Sequence, residues 1–137
     1  MKFIADANLL SEPTKPEPSP QVLEWLRRNE EQLAVTPIIL GELEYGILLL
    51  HANKRKKQLE VWFEKIRSTA HCLDFDSKAA SSWAHLLTHL KSQGHAMPIK
   101  DSLIAASAIA HNLTVATRNT RDFKNVRVPL INPFETH

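Results

Sequence analysis

Four acidic residues of the chain stand beside strongly apolar sequence: Asp6, Glu42, Asp101 and Asp122. A charged carboxylate is seldom buried without a partner, so apolar surroundings make each of them a candidate functional group. Clustered carboxylates repel one another, and a divalent cation relieves that repulsion. Their hard oxygen atoms suit Mg²⁺ or Mn²⁺ better than zinc. If the fold brings these acids together, they can hold an ion that activates water for hydrolysis.

Three of these acids also have an ordinary structural explanation. Asp6 and Asp122 are typical turn residues. Asp101 is typical of the first turn of a helix, where the helix dipole favours a negative charge. Taken one at a time, these residues are more often structural than functional. Only a fold that places them side by side favours a metal site.

Glu42 is harder to explain as a structural residue, because it lies within PIILGELEYGILLLHA, the most apolar helical segment of the chain. Helical spacing alone does not decide whether Glu42 or Glu44 faces inward. Gly46 follows Glu42 by four residues, on the same helix face, and leaves space beside the Glu42 carboxylate. Glycine inside a helix costs about 1 kcal/mol relative to alanine, which suggests a packing or functional reason for it. The pattern therefore favours Glu42.

The elements that must position these acids alternate along the chain. The predicted strands span residues 2–5, 33–35, 71–75, 113–117 and 128–131. The predicted helices span residues 20–29, 37–52, 54–66, 78–92 and 99–110. Strands that alternate with helices predict a parallel sheet covered on both faces, and ligands bind beyond the carboxyl ends of its strands. Such a sheet would bring the candidate acids to one edge.

Three segments of the chain carry further structural expectations. After Asp6 the chain is predicted to form a turn held by Asn8 and then a short helix that runs to Glu12. Residues 12–20 contain four prolines, and an exposed loop is expected because proline lacks an N–H donor and disfavours helix before it. The helix over residues 37–52 is apolar over most of its circumference and is expected to be largely buried.

Size and composition predict one domain over residues 1–137. The chain is 43% hydrophobic, which is enough for a core of its own. Cys72 is the only cysteine, and no signal peptide or long apolar run is present, so we expect a reducing, cytoplasmic setting without membrane contact. The net charge of +2 is too small to indicate nucleic-acid binding by itself. A nucleic-acid substrate must therefore be argued from a site.

Two other groups of residues offer weaker candidates. His85 and His89 lie four residues apart on one helix face, a spacing that suits zinc, but no HExxH pattern accompanies them and surface histidines are expected. The basic run Asn53–Lys57 could contact phosphates, although a solvated helix face is the better interpretation. The chain has no G-x-S-x-G element, Walker loop or GxGxxG motif.

Four stretches of the chain together resemble the PIN-domain ribonucleases, and specifically the VapC-type toxins of bacterial and archaeal toxin–antitoxin pairs. The stretches are IADANLLSE, TPIILGELEYG, MPIKDSLIAASAIA, and LTVATRNTRDF followed by PLINPF. Any one of these stretches is a weak signal, but four in this order and at this spacing are a strong one, and the resemblance covers essentially the whole chain. The resemblance implies an α/β fold, a three-layer α/β/α sandwich on a parallel sheet of about five strands.

The resemblance also implies a clustered acidic site that binds Mg²⁺ or Mn²⁺. We expect Asp6 and Asp101 to be the direct metal ligands. Glu42 and Asp122 would complete the shell through water or hold a second ion. The family usually has threonine or serine after its first aspartate, whereas this chain has Ala7, so one hydroxyl is missing from the motif. The polar residues expected to line the same site are Asn8, Thr117 and Asn119.

The function implied is that of an endoribonuclease toxin, a homodimer inhibited by a VapB-type antitoxin. The C-terminal segment of the antitoxin would lie over the acidic site, and its N-terminal part would bind operator DNA. The alternatives are a non-catalytic PIN-fold binding module and a DNA-directed nuclease with the same chemistry. A phosphatase with Asp6 as nucleophile is disfavoured, because that chemistry typically needs a second aspartate two residues later, where this chain has Asn8.

Overall fold

The computed structural model describes residues 1–135, so Thr136 and His137 of the predicted domain lie outside the described residues. Five parallel strands form one sheet in the order β3–β2–β1–β4–β5. The strands are β1 (Phe3–Ala5), β2 (Leu33–Val35), β3 (His71–Cys72), β4 (Thr114–Ala116) and β5 (Leu130–Ile131). The predicted parallel sheet of five strands is confirmed, with each strand shorter than or equal to its predicted span.

Helices connect and cover these strands. They are α1 (Ala7–Ser11), α2 (Pro20–Asn29), α3 (Pro37–Leu48), α4 (Lys54–Thr69), α5 (Ser77–Ser92) and α6 (Ile99–His111). The first five begin at a side chain that accepts a hydrogen bond from the backbone N–H three residues later, which satisfies a donor that the helix leaves free. These capping residues are Asp6, Ser19, Thr36, Asn53 and Asp76. Within residues 1–135, no helix combines the length and apolar character needed to cross a membrane.

The central strand β1 supplies side chains to two separate cores. Ile4 belongs to a core that includes buried residues of α3, α4, α5 and α6. Phe3 and Ala5 belong to a second core, together with Val22 and Trp25 of α2. Successive residues of a strand point to opposite faces of the sheet, so the two cores lie on its two sides. The predicted three-layer α/β/α sandwich is therefore confirmed.

The proline-rich segment is anchored at its start, which differs from the expectation of a wholly exposed loop. Glu12 is only 5% exposed and begins a short 3₁₀ turn, Glu12–Thr14. Its carboxylate forms a 2.9 Å ion pair with Lys15 and accepts a 3.1 Å hydrogen bond from the backbone N–H of Ser19. The hydrogen bond from Lys15 lowers the pKa of Glu12. The segment is therefore held by a buried carboxylate, while Pro13 is exposed.

The expectation that the helix over residues 37–52 is largely buried was wrong. Helix α3 ends at Leu48, and only Ile39, Leu43 and Ile47 are buried. Tyr45 and Leu48 are each 64% exposed. The buried residues recur every four positions, on one helix face, because neighbouring elements cover α3 on one side only. Apolar sequence around the whole helix therefore does not mean burial around the whole helix.

Candidate active site

Asp6 lies immediately after β1, at the point where α1 begins. Its Oδ1 accepts a 2.9 Å hydrogen bond from the Leu9 N–H, and its Oδ2 accepts a 2.5 Å hydrogen bond from the Thr117 hydroxyl. The Asp6 carboxylate itself caps α1, so the prediction that Asn8 holds this turn was wrong. Burial raises the pKa of Asp6, the two hydrogen bonds lower it, and the nearby Glu42 carboxylate raises it further. The carboxylate is thus fixed in orientation and short of positive charge.

Thr117 supplies a hydroxyl to Asp6 from the neighbouring strand. Strands β1 and β4 are paired through their last residues, so Asp6 and Thr117 follow them side by side. Thr117 is 1% exposed, and its Oγ1 also accepts a 2.9 Å hydrogen bond from the Asn119 N–H. Asp6 therefore has a hydroxyl partner at the end of the neighbouring strand, although the next residue along the chain, Ala7, offers none.

Two further carboxylates enter the same region from α6 and from the turn after β4. Asp101 is half-buried in the first turn of α6, and Asp122 lies in a 3₁₀ turn, Thr120–Phe123. Burial raises the pKa of Asp101, and repulsion by Asp122 raises it further. Within residues 1–135, no hydrogen bond ends on the Asp101 carboxylate. Its oxygen atoms are therefore free to bind a cation.

Glu42, and not Glu44, faces this region. Glu42 is half-buried and forms an ion pair with Lys100, with Nζ and Oε2 2.9 Å apart, whereas Glu44 is exposed. This hydrogen bond raises the pKa of Lys100. A Cβ atom added at Gly46 would meet nothing within 4 Å. The space predicted beside Glu42 is therefore present, but packing does not require glycine at position 46.

All seven predicted site residues line one cleft of about 220 Å³, which we call the acid cleft. They are Asp6, Asn8, Glu42, Asp101, Thr117, Asn119 and Asp122. Residues that are as far as 116 positions apart (122 minus 6) come together because the acid cleft lies beyond the carboxyl ends of β1 and β4. This is the position that a parallel sheet predicts for a ligand.

The donor atoms of the acid cleft fit a hard divalent cation better than a soft one. They are carboxylate oxygens, and two of the carboxyl groups, those of Asp6 and Asp101, have raised pKa values. In the side-chain positions of residues 1–135, however, no three His, Cys, Asp or Glu residues are grouped closely enough to hold an ion. Mg²⁺ commonly binds one or two carboxylates directly and keeps several waters. Two direct ligands, with the remaining acids acting through water, therefore suit this arrangement.

The two weaker candidates lie outside the acid cleft. His85 and His89 are exposed on α5, and the His85 ring hydrogen-bonds the Ser81 carbonyl at 2.8 Å, so the expectation of surface histidines is confirmed. In the basic run, Arg55 donates a hydrogen bond to the Thr14 carbonyl of the 3₁₀ turn, and Lys56 donates one to the Leu50 carbonyl just before α4. These two cations are thus partly used to hold the start of α4.

Sequence reasoning did not identify Lys100 as a residue of the site. The available signal was its position in the first turn of α6, where the helix dipole disfavours a cation. A lysine there needs compensating negative charge, and the structure provides it through Glu42. Which carboxylate does so depends on the packing of α3 beside α6, which no local pattern specifies.

Comparison with known proteins agrees with this architecture. The chain matches the PIN domain model over residues 3–129. It is 35% identical to the plasmid stability protein StbB of Pseudomonas syringae pv. tomato, over 97% of this chain and 99% of that protein. It is also 35% identical to the VapC ribonuclease Y4jK of Sinorhizobium fredii, over 97% of this chain and 98% of the relative. The chain therefore belongs to the PIN-domain family, and its resemblance to the VapC-type proteins is confirmed.

Solved structures show the same fold. FitAB bound to the IR36 DNA fragment contains a chain that matches with a TM-score of 0.91 and 32% identity, covering 98% of this chain and 97% of that one. VapBC2 from Rickettsia felis, bound to a DNA fragment from their promoter, matches with a TM-score of 0.82 and 27% identity, covering 96% and 98%. The PIN-like α/β fold is thus confirmed by relatives of nearly the same length.

Proposed function

We propose that this chain is the toxin of a type II toxin–antitoxin pair and acts as a Mg²⁺- or Mn²⁺-dependent endoribonuclease. The observation that carries the proposal is the convergence of four carboxylates and three polar side chains in the acid cleft. The VapC ribonuclease Y4jK, a relative over nearly the full chain, supports RNA as the substrate in preference to DNA. The occupancy of every predicted acidic position weighs against the alternative of a non-catalytic binding module.

The reaction is hydrolysis of a phosphodiester bond. Asp6 and Asp101 would hold a divalent ion, which would supply Lewis-acid chemistry: it would lower the pKa of the attacking water and neutralise charge on the phosphoryl oxygens. A new bond forms between the water oxygen and phosphorus as the bond to the 3′ oxygen breaks, and the water's proton ends on the leaving oxygen. The products are a 5′-phosphate and a 3′-hydroxyl.

The side chains of the acid cleft have distinct tasks in this scheme. Asp6 and Asp101 would hold the ion, and Thr117 keeps Asp6 in one orientation through its 2.5 Å hydrogen bond. Asp122, whose charge raises the pKa of Asp101, acts through water. Asn119 is exposed at the mouth of the cleft, where its amide can hydrogen-bond the substrate backbone.

The proposal includes partners: a VapB-type antitoxin, a second copy of the chain in a homodimer, and operator DNA bound through the antitoxin. The relatives solved as FitAB and VapBC2 with DNA support the antitoxin and the operator DNA. A further groove of about 260 Å³ adjoins the acid cleft and shares Glu42 with it. Its apolar lining suits a partner segment that places apolar side chains in the groove and a basic side chain in the acid cleft. The large apolar residues of the groove are Leu43, Ile47, Leu50, Leu59 and Trp62.

The test is cleavage of matched RNA and DNA oligonucleotides by the purified protein. We expect cleavage of RNA in Mg²⁺ and none in EDTA. Asp6→Asn and Asp101→Asn should each lower the rate at least about 100-fold, the scale expected when a group that stabilises the transition state is removed. Glu44→Gln is the matched control, because Glu44 is an exposed acid on the same helix as Glu42, and it should leave the rate unchanged.

The other outcomes discriminate between the alternatives. Undiminished cleavage by either aspartate variant would overturn the assignment of the site. Cleavage of DNA alone would support the DNA-directed nuclease. Absence of both cleavage and Mn²⁺ affinity in the wild-type protein would support the non-catalytic binding module.

A further inference from the structure

Lys100 is the only cation among the described residues that line the acid cleft. Its Nζ lies 2.9 Å from Glu42 Oε2, and Asp101 and Asp6 are the next negative charges that attract it. The Lys100 side chain is 51% exposed and the Glu42 side chain 30% exposed, so the ion pair lies at the solvent side of the cleft. A flexible ammonium in this place can reach both the carboxylates and an anionic ligand.

The net charge of the acid cleft limits the number of divalent ions that it can bind. Four carboxylates that face one ammonium leave three negative charges, and one divalent ion reduces these to one. A second divalent ion would have to displace Lys100 from Glu42 or bind beside the Lys100 ammonium. Like charges at such short range repel strongly. In agreement with this, Glu42 is already engaged by Lys100.

The position of Lys100 in α6 is unfavourable for a positive charge. It occupies the first turn of the helix, where the dipole disfavours a cation. An exposed lysine gains little stability from a single ion pair. The ion pair alone therefore does not account for a lysine here, whereas a role toward a phosphate in the acid cleft does, because an ammonium binds phosphate as a point charge.

We propose that Lys100 is the second cation of the site. It holds Glu42, limits the acid cleft to one divalent ion at Asp6 and Asp101, and provides the positive charge that a second ion would otherwise bring to a bound phosphate. This inference rests on the proposed metal-dependent function. It adds that one divalent ion binds and that Lys100 takes the place of a second ion.

The test counts Mn²⁺ ions bound to the purified full chain at saturation, from the electron paramagnetic resonance signal of free Mn²⁺. We expect one ion for the wild-type protein and two for Lys100→Met, which removes the charge and keeps a long apolar side chain. Lys100→Arg, which keeps the charge, should bind one ion. Lys65→Met is the matched control, because Lys65 is an exposed lysine of α4 outside the acid cleft, and it should also bind one ion.

Each other outcome decides against the inference. One ion in both the wild-type protein and Lys100→Met, or two ions in the wild-type protein, would overturn the role of Lys100 and leave the proposed nuclease standing. No Mn²⁺ binding by the wild-type protein would overturn the proposed metal site itself, and this inference with it. Thermal melting checks the folding of each variant, and Lys100→Gln replaces Lys100→Met if the latter does not fold.

Discussion

Helices α3 and α6 are both rich in apolar residues, and each brings one acid to the acid cleft, yet the protein buries them very differently. Seven of the 13 residues of α6 are buried, and they occur on several sides of the helix. Only three of the 12 residues of α3 are buried, and these lie on one side. The difference arises because α6 packs against both α5 and the sheet, whereas α3 leaves Tyr45 and Leu48 in solvent. Apolar composition therefore predicted the helices but not what covers them.

The two acids carried by these helices also differ in their partners. Asp101 on α6 accepts no hydrogen bond among the described residues, and burial together with Asp122 raises its pKa. Glu42 on α3 is already paired with Lys100. A partly buried carboxylate that accepts no hydrogen bond has an uncompensated negative charge and is available to a metal ion. A carboxylate in an ion pair already has its charge compensated. The comparison indicates that the two acids have different tasks within one cleft.

The largest expected effect is the loss of stability when a buried side chain of α6 is shortened, compared with an exposed side chain of α3. Ile104 of α6 is 2% exposed and Leu48 of α3 is 64% exposed. Ile104→Ala should lower the free energy of unfolding by about 3 kcal/mol, because it leaves a cavity in a packed core. Leu48→Ala should change it by less than about 0.5 kcal/mol. Urea unfolding measures both, and equal losses would mean that the outer face of α3 is covered in solution.

A smaller effect is expected from the helical glycine of α3. Gly46→Ala should raise the free energy of unfolding by about 0.5–1 kcal/mol, because alanine is the better helix former and its Cβ would meet nothing within 4 Å. Gly94, just after α5, is the control. Its φ of +70° is a conformation that other residues rarely adopt, so Gly94→Ala should destabilise the protein. A loss of stability in Gly46→Ala would show that position 46 does require glycine.

The smallest expected effect is the pH dependence of Asp101. Its pKa is raised above the ordinary value of 3.8, so between that value and the folded-state pKa the folded protein holds a proton that the unfolded chain has released. Stability is therefore lost as the pH rises from about 3.8 through the folded-state pKa, and the loss is complete above it. Asp101→Asn removes this loss. Since the helix dipole favours the charge, the gain at pH 7 should be only about 0.5 kcal/mol.

Thermal and urea unfolding between pH 3 and pH 8 measure this difference. The advantage of Asp101→Asn over the wild-type protein should be present at neutral pH and vanish below the unfolded-state value. Saturating Mn²⁺ should reverse the order at pH 7, because the ion stabilises only a site with its ligands in place. An advantage that stays constant with pH would show that the charge of Asp101 is not its cause.

Much of the fold and of the candidate site could be predicted because its signals are local. Alternating strands and helices indicated a parallel sheet, and caps such as Thr36 marked where helices begin. Acids that follow strands could be assigned to one edge, because parallel strands end at the same side. Asp6 and Asp122 line the acid cleft for this reason, whereas Glu42 and Asp101 reach it from helices. The errors, at Asn8 and on the outer face of α3, concern contacts that depend on the rest of the chain.

The sequence by itself determined the class of fold, the identity of the candidate acids and the absence of a hydroxyl after Asp6, since these follow from residue type and spacing. Only the tertiary structure decided that the Thr117 hydroxyl donates to Asp6 and that Glu42 pairs with Lys100. Each of these contacts joins residues more than 50 positions apart, with separations of 111 and 58. Such contacts are set by how strands pair and helices pack, and periodicity within one element carries no information about its neighbours.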